Sequence, residues 1–234
     1  FLTLRAFEFI RTDVGIANAA VKLVGFVPGF LSDANGPTHQ AIEDVSLMRG
    51  IPGVNVWAPA GQEDLLIGLK TILSDDQPWY IRYIHHNSDF AHSNTFEPGK
   101  AEIITEGTDV TLLTYGLLFK QTLEAQRLLS DAGYSVGLVN LRTLKPLDEE
   151  TVLRVCNQSQ LVATVEDHFQ VGGLYSIIAE LLLANRQTAN VLPLALDSWY
   201  RPTLLQQVLE VEGFTGEKIA ERIQRALADQ SVGA

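Results

Sequence analysis

The 234-residue sequence predicts an α/β fold built as two consecutive parallel-sheet α/β domains, residues 1–98 and 105–234. Two observations carry that expectation. Short apolar runs of strand length alternate with segments whose apolar residues recur at three- and four-residue steps. Strands separated by helices, rather than by tight hairpin turns, pair in parallel.

In the first segment, Leu4, Phe7, Ile10 and Val14 share one helix face, with Gly15 as its expected end. Lys22–Val27 reads as a buried strand. A loop over 28–35 leads to a helix expected from Gln40, carrying Ile42, Val45, Leu47 and Met48. Ile51-Pro52-Gly53 breaks that helix, and Val54–Trp57 is the next strand. Asp64–Leu73 reads as a helix with Leu65, Leu66, Leu69 and Leu73 turned inward, and Trp79–Ile84 as a third strand.

In the second segment the expected strands are Asp109–Tyr115, Ser135–Leu141, Leu161–Val165 and Leu192–Leu196. The expected helices run from Leu118 to Ala132 with Gly133 as C-cap, from the acidic Asp148-Glu149-Glu150 start, from Val171 to Ala184, and from a Thr215 cap onward.

Composition narrows the function classes. Net charge is −11, with 17 basic and 28 acidic residues and no basic stripe, which argues against a nucleic-acid partner. No apolar run reaches the length of a membrane span. The single cysteine, Cys156, excludes an internal disulfide and suits a reducing, cytoplasmic setting. The chain opens at Phe1 with neither methionine nor a signal-peptide pattern, as expected of a sequence that starts inside a domain.

The stretch most suggestive of chemistry is Gly36-Pro37-Thr38-His39-Gln40, at the expected carboxyl edge of the first sheet, where open α/β folds bind ligands. Gly-Pro favours a turn, Thr38 is a plausible helix N-cap, and His39 would fall in the first helical turn, with an imidazole able to exchange a proton near neutral pH. His39 as a simple helix-start residue is the plainer alternative. His85-His86, at the end of the third strand, face different directions and form a poor metal set, so no metal ligands are assigned. His92 reads as a solvated loop residue. Gly172-Gly173 lacks the spacing of a dinucleotide fingerprint and reads as close helix–sheet packing. Glu166-Asp167-His168 has no serine elbow to serve and reads as a structural or interface cluster.

Phe1–Arg11, Asn35-Gly-Pro-Thr-His-Gln-Ala-Ile-Glu-Asp44, Arg49–Gly53 and Trp57–Ala60 together resemble the pyrimidine-binding domain of transketolase. Asp109–Gly116 and Val165–Leu174 resemble the C-terminal domain of the same superfamily, which includes deoxyxylulose-phosphate synthase and the beta subunits of 2-oxo-acid dehydrogenases. The resemblance implies thiamine diphosphate as cofactor, its aminopyrimidine held by this chain. The diphosphate and a divalent metal (Mg or Ca) would be held by a separate diphosphate-binding subunit, the N-terminal half of a split transketolase. It implies that His39 is the active-site histidine, that Phe1 falls near the aromatic platform for the cofactor, and that Asn35 and His85 contact substrate. Asn35 stands where many relatives carry aspartate, and His85 where users of sugar phosphates often carry arginine, whose bidentate fork histidine lacks. The glutamate that activates the cofactor in the family, and the Gly-Asp-Gly metal motif, do not occur in this sequence. The implied activity is transfer of a two-carbon ketol unit from a ketose to an aldose, in a homodimer or a two-plus-two assembly. The alternatives are decarboxylation of a 2-oxo acid, as in deoxyxylulose-phosphate synthase, and a non-catalytic assembly subunit.

Overall fold

The computed structural model describes the backbone of residues 1–232 and the side chains of residues 1–229. Nine strands form two sheets. β1 (Lys22–Phe26), β2 (Asn55–Trp57), β3 (Trp79–Tyr83) and β7 (Thr143–Lys145) make a four-stranded sheet in the order β1-β3-β2-β7. β4 (Glu102–Thr105), β5 (Val110–Thr114), β6 (Val136–Asn140), β8 (Leu161–Phe169) and β9 (Val191–Leu196) make a five-stranded sheet in the order β4-β6-β5-β8-β9. The helices are α1 (Phe7–Phe9), which continues as a π-helix through Ile16, α2 (Asp44–Arg49), α3 (Gln62–Ser74), α4 (Phe119–Asp131), α5 (Glu149–Gln158), α6 (Leu174–Ala184), α7 (Leu205–Val211) and α8 (Gly216–Val232). Asp148 caps α5, its carboxylate accepting from Thr151 N–H.

The α/β alternation holds, with five departures from the sequence expectation. Each sheet is parallel in its interior but carries one antiparallel edge strand, β4 against β6 and β7 against β2. β7 comes from the second segment yet closes the first sheet, so that sheet is not built by residues 1–98 alone. β1 is not buried: it is an edge strand, and Val24 and Phe26 on one of its faces are exposed. On α3 only Leu65 and Leu69 pack inward. Leu66 and Leu73 face solvent, because Asp64, Gly68 and Ile72 occupy the buried stripe.

The fifth departure concerns the stretch around His39. No helix begins at Gln40; α2 starts at Asp44. Gly36–His39 closes a turn through His39 N–H donating to Gly36 O at 2.9 Å, with Gly36 at φ +86°. Thr38 Oγ1 lies 2.9 Å from His39 Nδ1, so the hydroxyl engages the imidazole rather than capping a helix. His39 therefore sits on a loop, outside the first helical turn.

Two hydrophobic clusters hold the sheets together, and each draws residues from both. Phe30, Leu31 and Ile42 join Leu112, Val165 and Phe214 in one; Val45, Met48 and Val56 join Leu113, Val139 and Val162 in the other. A buried ion triad crosses the same boundary. Arg82 on β3 is fully buried; its Nε reaches Asp44 Oδ2 at 2.9 Å and its Nη1 reaches Asp167 Oδ1 at 2.7 Å. Tyr80 O–H donates to Asp44 Oδ2 at 2.7 Å. Gly29 is required beside this triad, because a Cβ there would lie 1.8 Å from Asp167 Oδ2 and the residue has φ +58°. Glu166, next along β8, accepts from Leu174 N–H at 2.6 Å and Tyr175 N–H at 3.0 Å at the start of α6. The Glu166-Asp167-His168 cluster is thus structural, buried between the two sheets.

Arg82→Met leaves two buried carboxylates without their cation and should lower unfolding free energy by about 3–5 kcal/mol in urea titrations. Adding Asp44→Asn and Asp167→Asn should restore a large part of that loss, and no recovery would contradict the triad. Burial pushes the Glu166 carboxyl from its ordinary 4.5 up to about 7. The folded chain therefore keeps a proton there that the unfolded chain has released. This stabilisation is complete below about pH 4.5 and is lost as pH rises through 7, roughly 3 kcal/mol in all. Glu166→Gln should flatten the stability profile between pH 5 and 8.

Candidate active site

The loop that carries Asn35 and His39 leaves β1, crosses a 3₁₀ segment (Gly29–Asn35) and returns to α2. It is fastened at its base. Gly29 N–H donates to Ala41 O at 2.8 Å, and Ser32 Oγ donates to His39 O. Phe30 N–H donates to Asp167 Oδ2 at 3.3 Å, and Tyr200 O–H donates to Gly29 O at 3.0 Å. The Phe30 ring packs edge-on against Tyr200 and Phe214. Both sheets thus hold the loop, the second one through Asp167 and the β9–α7 connection.

Above the loop opens a crevice of about 340 Å³. Phe1, Asn35 and His39 all line it, as do Phe26, Gln40 and Glu43 of the first segment and Trp199 of the second. Phe1 meets His39 edge-on, ring centroids 5.4 Å apart, and Arg5 stacks over the Phe1 ring, 4.3 Å from its centroid. His39 Nδ1 is taken by Thr38, and Nε2 has no hydrogen-bond partner among the described residues. Burial raises the Glu43 pKa; Ile42 N–H, donating to Oε2 at 3.0 Å, opposes this, and Asp44 adds to it. Among the described residues that line the crevice there is no lysine or arginine; Arg5 comes near it only by stacking on Phe1. The exposed aromatic faces and the mixed donors and acceptors fit a flat polar ring. They do not fit a diphosphate or a divalent metal, which needs several oxygen ligands or cationic groups.

His85 is not among the lining residues. Its ring lies 5.8 Å from that of Phe26, which does line the crevice, and 4.6 Å from that of His86. Burial and the neighbouring His85 lower the His86 pKa.

His92 is not a solvated loop residue. It is buried, with Nδ1 2.7 Å from Glu102 Oε2 and Nε2 2.9 Å from Ser88 Oγ. The 88–99 stretch lacks strand or helix pattern but is tied down by this pair and by Arg142, which donates to the carbonyls of Thr95 and Ser93. Asp64, His92 and Glu102 bring ligand-type atoms within 4.8 Å of one another. Arg142 already supplies the cation there, 2.8 Å from Asp64 and 3.1 Å from Glu102. Burial would raise the Glu102 pKa, but hydrogen bonds from His92, Ser93 and Asn140 and the charge of Arg142 outweigh it, and the carboxyl is held low. The cluster is an ion-pair network bracing the chain between β3 and β4.

Sequence reasoning missed Glu43, Phe26 and Trp199. Glu43 and Phe26 flank the motif closely enough to have been candidates; Trp199 lies 160 residues beyond His39 and carries no local signal.

Residues 1–88 match the family model of the transketolase pyrimidine-binding domain, and residues 99–219 that of the transketolase C-terminal domain. The chain belongs to the transketolase family. It is 37% identical over 187 residues to the 6-deoxy-6-sulfo-D-fructose transketolase subunit of a Clostridium species, covering 79% of this chain and 58% of that relative. It is 32% identical over 232 residues to a transketolase C-terminal section of Methanocaldococcus jannaschii, covering 97% of this chain and 72% of the relative. It is 34% identical over 233 residues to the 1-deoxy-D-xylulose-5-phosphate synthase of Dictyoglomus thermophilum, 97% of this chain but only 38% of that enzyme. Among solved structures, a split-gene transketolase described as an inactive β4 tetramer superimposes with TM-score 0.88 at 30% identity, over 97% of this chain and 74% of that one. A Pichia stipitis transketolase, at 19% identity and TM-score 0.73, shares the fold over 33% of its own length. This transketolase-family chain therefore spans only part of its relatives. No helix among the described residues is long and apolar enough to cross a membrane.

Trp57 and Trp79 are buried, whereas Trp199 is 60% exposed beside the crevice. Acrylamide should quench the fluorescence of Trp199 selectively, and Trp199→Phe should remove the quenchable component. Unchanged quenching in that variant would place the exposed indole elsewhere.

Proposed function

We propose that this chain is the C-terminal subunit of a two-subunit transketolase, moving a two-carbon ketol unit from a ketose to an aldose with thiamine diphosphate. One observation carries the reading: a crevice with Phe1, Asn35 and His39 on its walls, suited to a flat heteroaromatic ring, has no lysine or arginine among its lining residues to hold a diphosphate. Residues 1–98 act as the pyrimidine-binding domain, with β7 added to their sheet, and 105–234 as the C-terminal domain. The diphosphate and its divalent metal fall to an N-terminal, diphosphate-binding partner. The names of the Clostridium and Methanocaldococcus relatives support a divided enzyme, and the inactive β4 tetramer supports a chain that self-assembles without turnover. A homodimer or a two-plus-two complex in the cytoplasm is the expected form.

When bound, the cofactor supplies a nucleophilic carbon and an electron sink. The chain's own residues do the rest of this half of the work. Phe1 and Phe26 offer faces to the aminopyrimidine. His39, with Nδ1 held by Thr38, presents Nε2 to exchange a proton with a substrate oxygen. Asn35 hydrogen-bonds a substrate hydroxyl. His85, next to Phe26 but outside the lining of the crevice, would meet an anionic group of a substrate as a single donor.

The decisive experiment mixes the purified chain with its diphosphate-binding partner, thiamine diphosphate and Mg²⁺, and follows ketose-to-aldose transfer. Activity is expected only in the mixture, and His39→Ala should lower kcat by roughly 10²-fold or more. Full turnover by the chain alone would end the divided-enzyme reading. The 34% identity to a deoxyxylulose-phosphate synthase supports a second reaction, decarboxylation of a 2-oxo acid, which release of CO₂ from pyruvate in the same mixture would reveal. A mixture that binds cofactor but transfers nothing would leave a non-catalytic assembly role.

A further inference from the structure

We propose that Gln40 is a ligand-binding residue of the crevice, its amide locked so that Oε1 is reserved for an N–H or O–H donor on the bound molecule. Gln40 is only 4% exposed and lines the crevice next to His39. Its amide nitrogen donates to the main-chain carbonyl of Tyr200 at 2.9 Å. A carbonyl oxygen can only accept, so the nitrogen must face Tyr200 and the amide cannot turn over without setting two oxygens against each other. Oε1 is thereby directed away from Tyr200, and it is buried with no hydrogen-bond partner among the described residues.

A buried acceptor left unpaired is a standing cost, and such atoms are normally satisfied. The atom that holds the amide in this state is itself well fixed. Tyr200 is buried, its phenol donates to Gly29 O, and its ring packs against Phe30. The second sheet therefore sets the orientation of a polar group in a crevice built mainly from the first. Gln40 cannot relax to find another partner, which is the arrangement expected of a preorganised binding group.

Two donors are available under the proposed function, on which this inference rests: the exocyclic amine of the cofactor's pyrimidine and a hydroxyl of the sugar. Both present the same chemistry to Oε1. The test uses the chain reconstituted with its diphosphate-binding partner. Thiamine diphosphate affinity is read by calorimetry in the wild type and in Gln40→Met, which keeps the volume and removes the amide. If the amine is the donor, the substitution should weaken binding about five- to tenfold. A cofactor analogue lacking the amine should then bind both proteins alike. If a sugar hydroxyl is the donor, cofactor affinity stays unchanged and KM for the ketose rises by a similar factor with little change in kcat. Gln40→Asn, which withdraws the amide by one methylene, should repeat the result and serves if the methionine variant folds poorly. Cofactor affinity and ketose KM both within twofold of wild type would overturn the assignment. A wild-type pair that binds no thiamine diphosphate would instead overturn the proposed function, and this inference with it.

Discussion

One cation between two carboxylates governs how this molecule is put together. Arg82 rises from the middle of the first sheet and meets Asp44 on its own side and Asp167 on the other, all three without solvent. Removing such groups from water is expensive, and an apolar replacement could contribute as much or more to stability. The value of the triad lies in what it forbids. A slip of one sheet against the other by a few ångströms would strand a guanidinium or a carboxylate in a medium where charge separation is costly. Gly29, with no room for a side chain beside Asp167, shows how closely the two halves meet at that point.

The crevice depends on that registration. Asp167 uses one oxygen on Arg82 and the other on Phe30 N–H, so the same carboxylate that joins the sheets also fastens the loop bearing Asn35 and His39. Tyr200 fastens it a second time, and Trp199 from the same connection forms a wall. β7 crosses in the opposite direction, from the second segment into the first sheet. The pyrimidine-binding and C-terminal segments are therefore distinct in sequence pattern but not independent in construction. A chain cut near residue 100 would lose the final strand of its first sheet and both anchors of its loop.

The alternation of strands and helices was legible because it is local: burial on both faces makes parallel strands apolar runs, and amphipathic helices repeat at 3.6 residues. Phe1, Asn35 and His39 were legible as parts of a motif, and they do meet in one crevice. The turn that presents His39 was misjudged as a helix start, since Thr38 is a good cap by type and only the fold shows its hydroxyl on the imidazole. β7 was hidden because three residues, Thr143-Leu144-Lys145, carry no periodicity and their pairing with β2 is distant. His92 was misread for a related reason. Nothing in Ala91-His92-Ser93 hints at a carboxylate ten residues on and an arginine from beyond β6 converging there. Ion pairs such as Arg82–Asp167, separated by 85 positions, leave no spacing signature at all.

The electrostatics of the crevice bear on which part of a bipolar cofactor belongs here. The chain is acidic overall, and among the described residues lining the crevice there is no lysine or arginine, Arg5 being stacked on Phe1. Its one carboxylate, Glu43, is pushed by burial toward its neutral form, and its imidazole is tethered by a neutral hydroxyl. A diphosphate entering such a surface would exchange hydration for contacts with aromatic rings and a carboxyl, an unfavourable trade at any orientation. A flat ring bearing an amine and ring nitrogens meets the opposite situation: apolar faces for its faces, and an amide oxygen, an imidazole nitrogen and a hydroxyl for its edges. Under the proposed function, the polarity of the wall favours the cofactor's ring toward this chain and its charge away from it. On that reading, the cations then fall to the remaining half of the site.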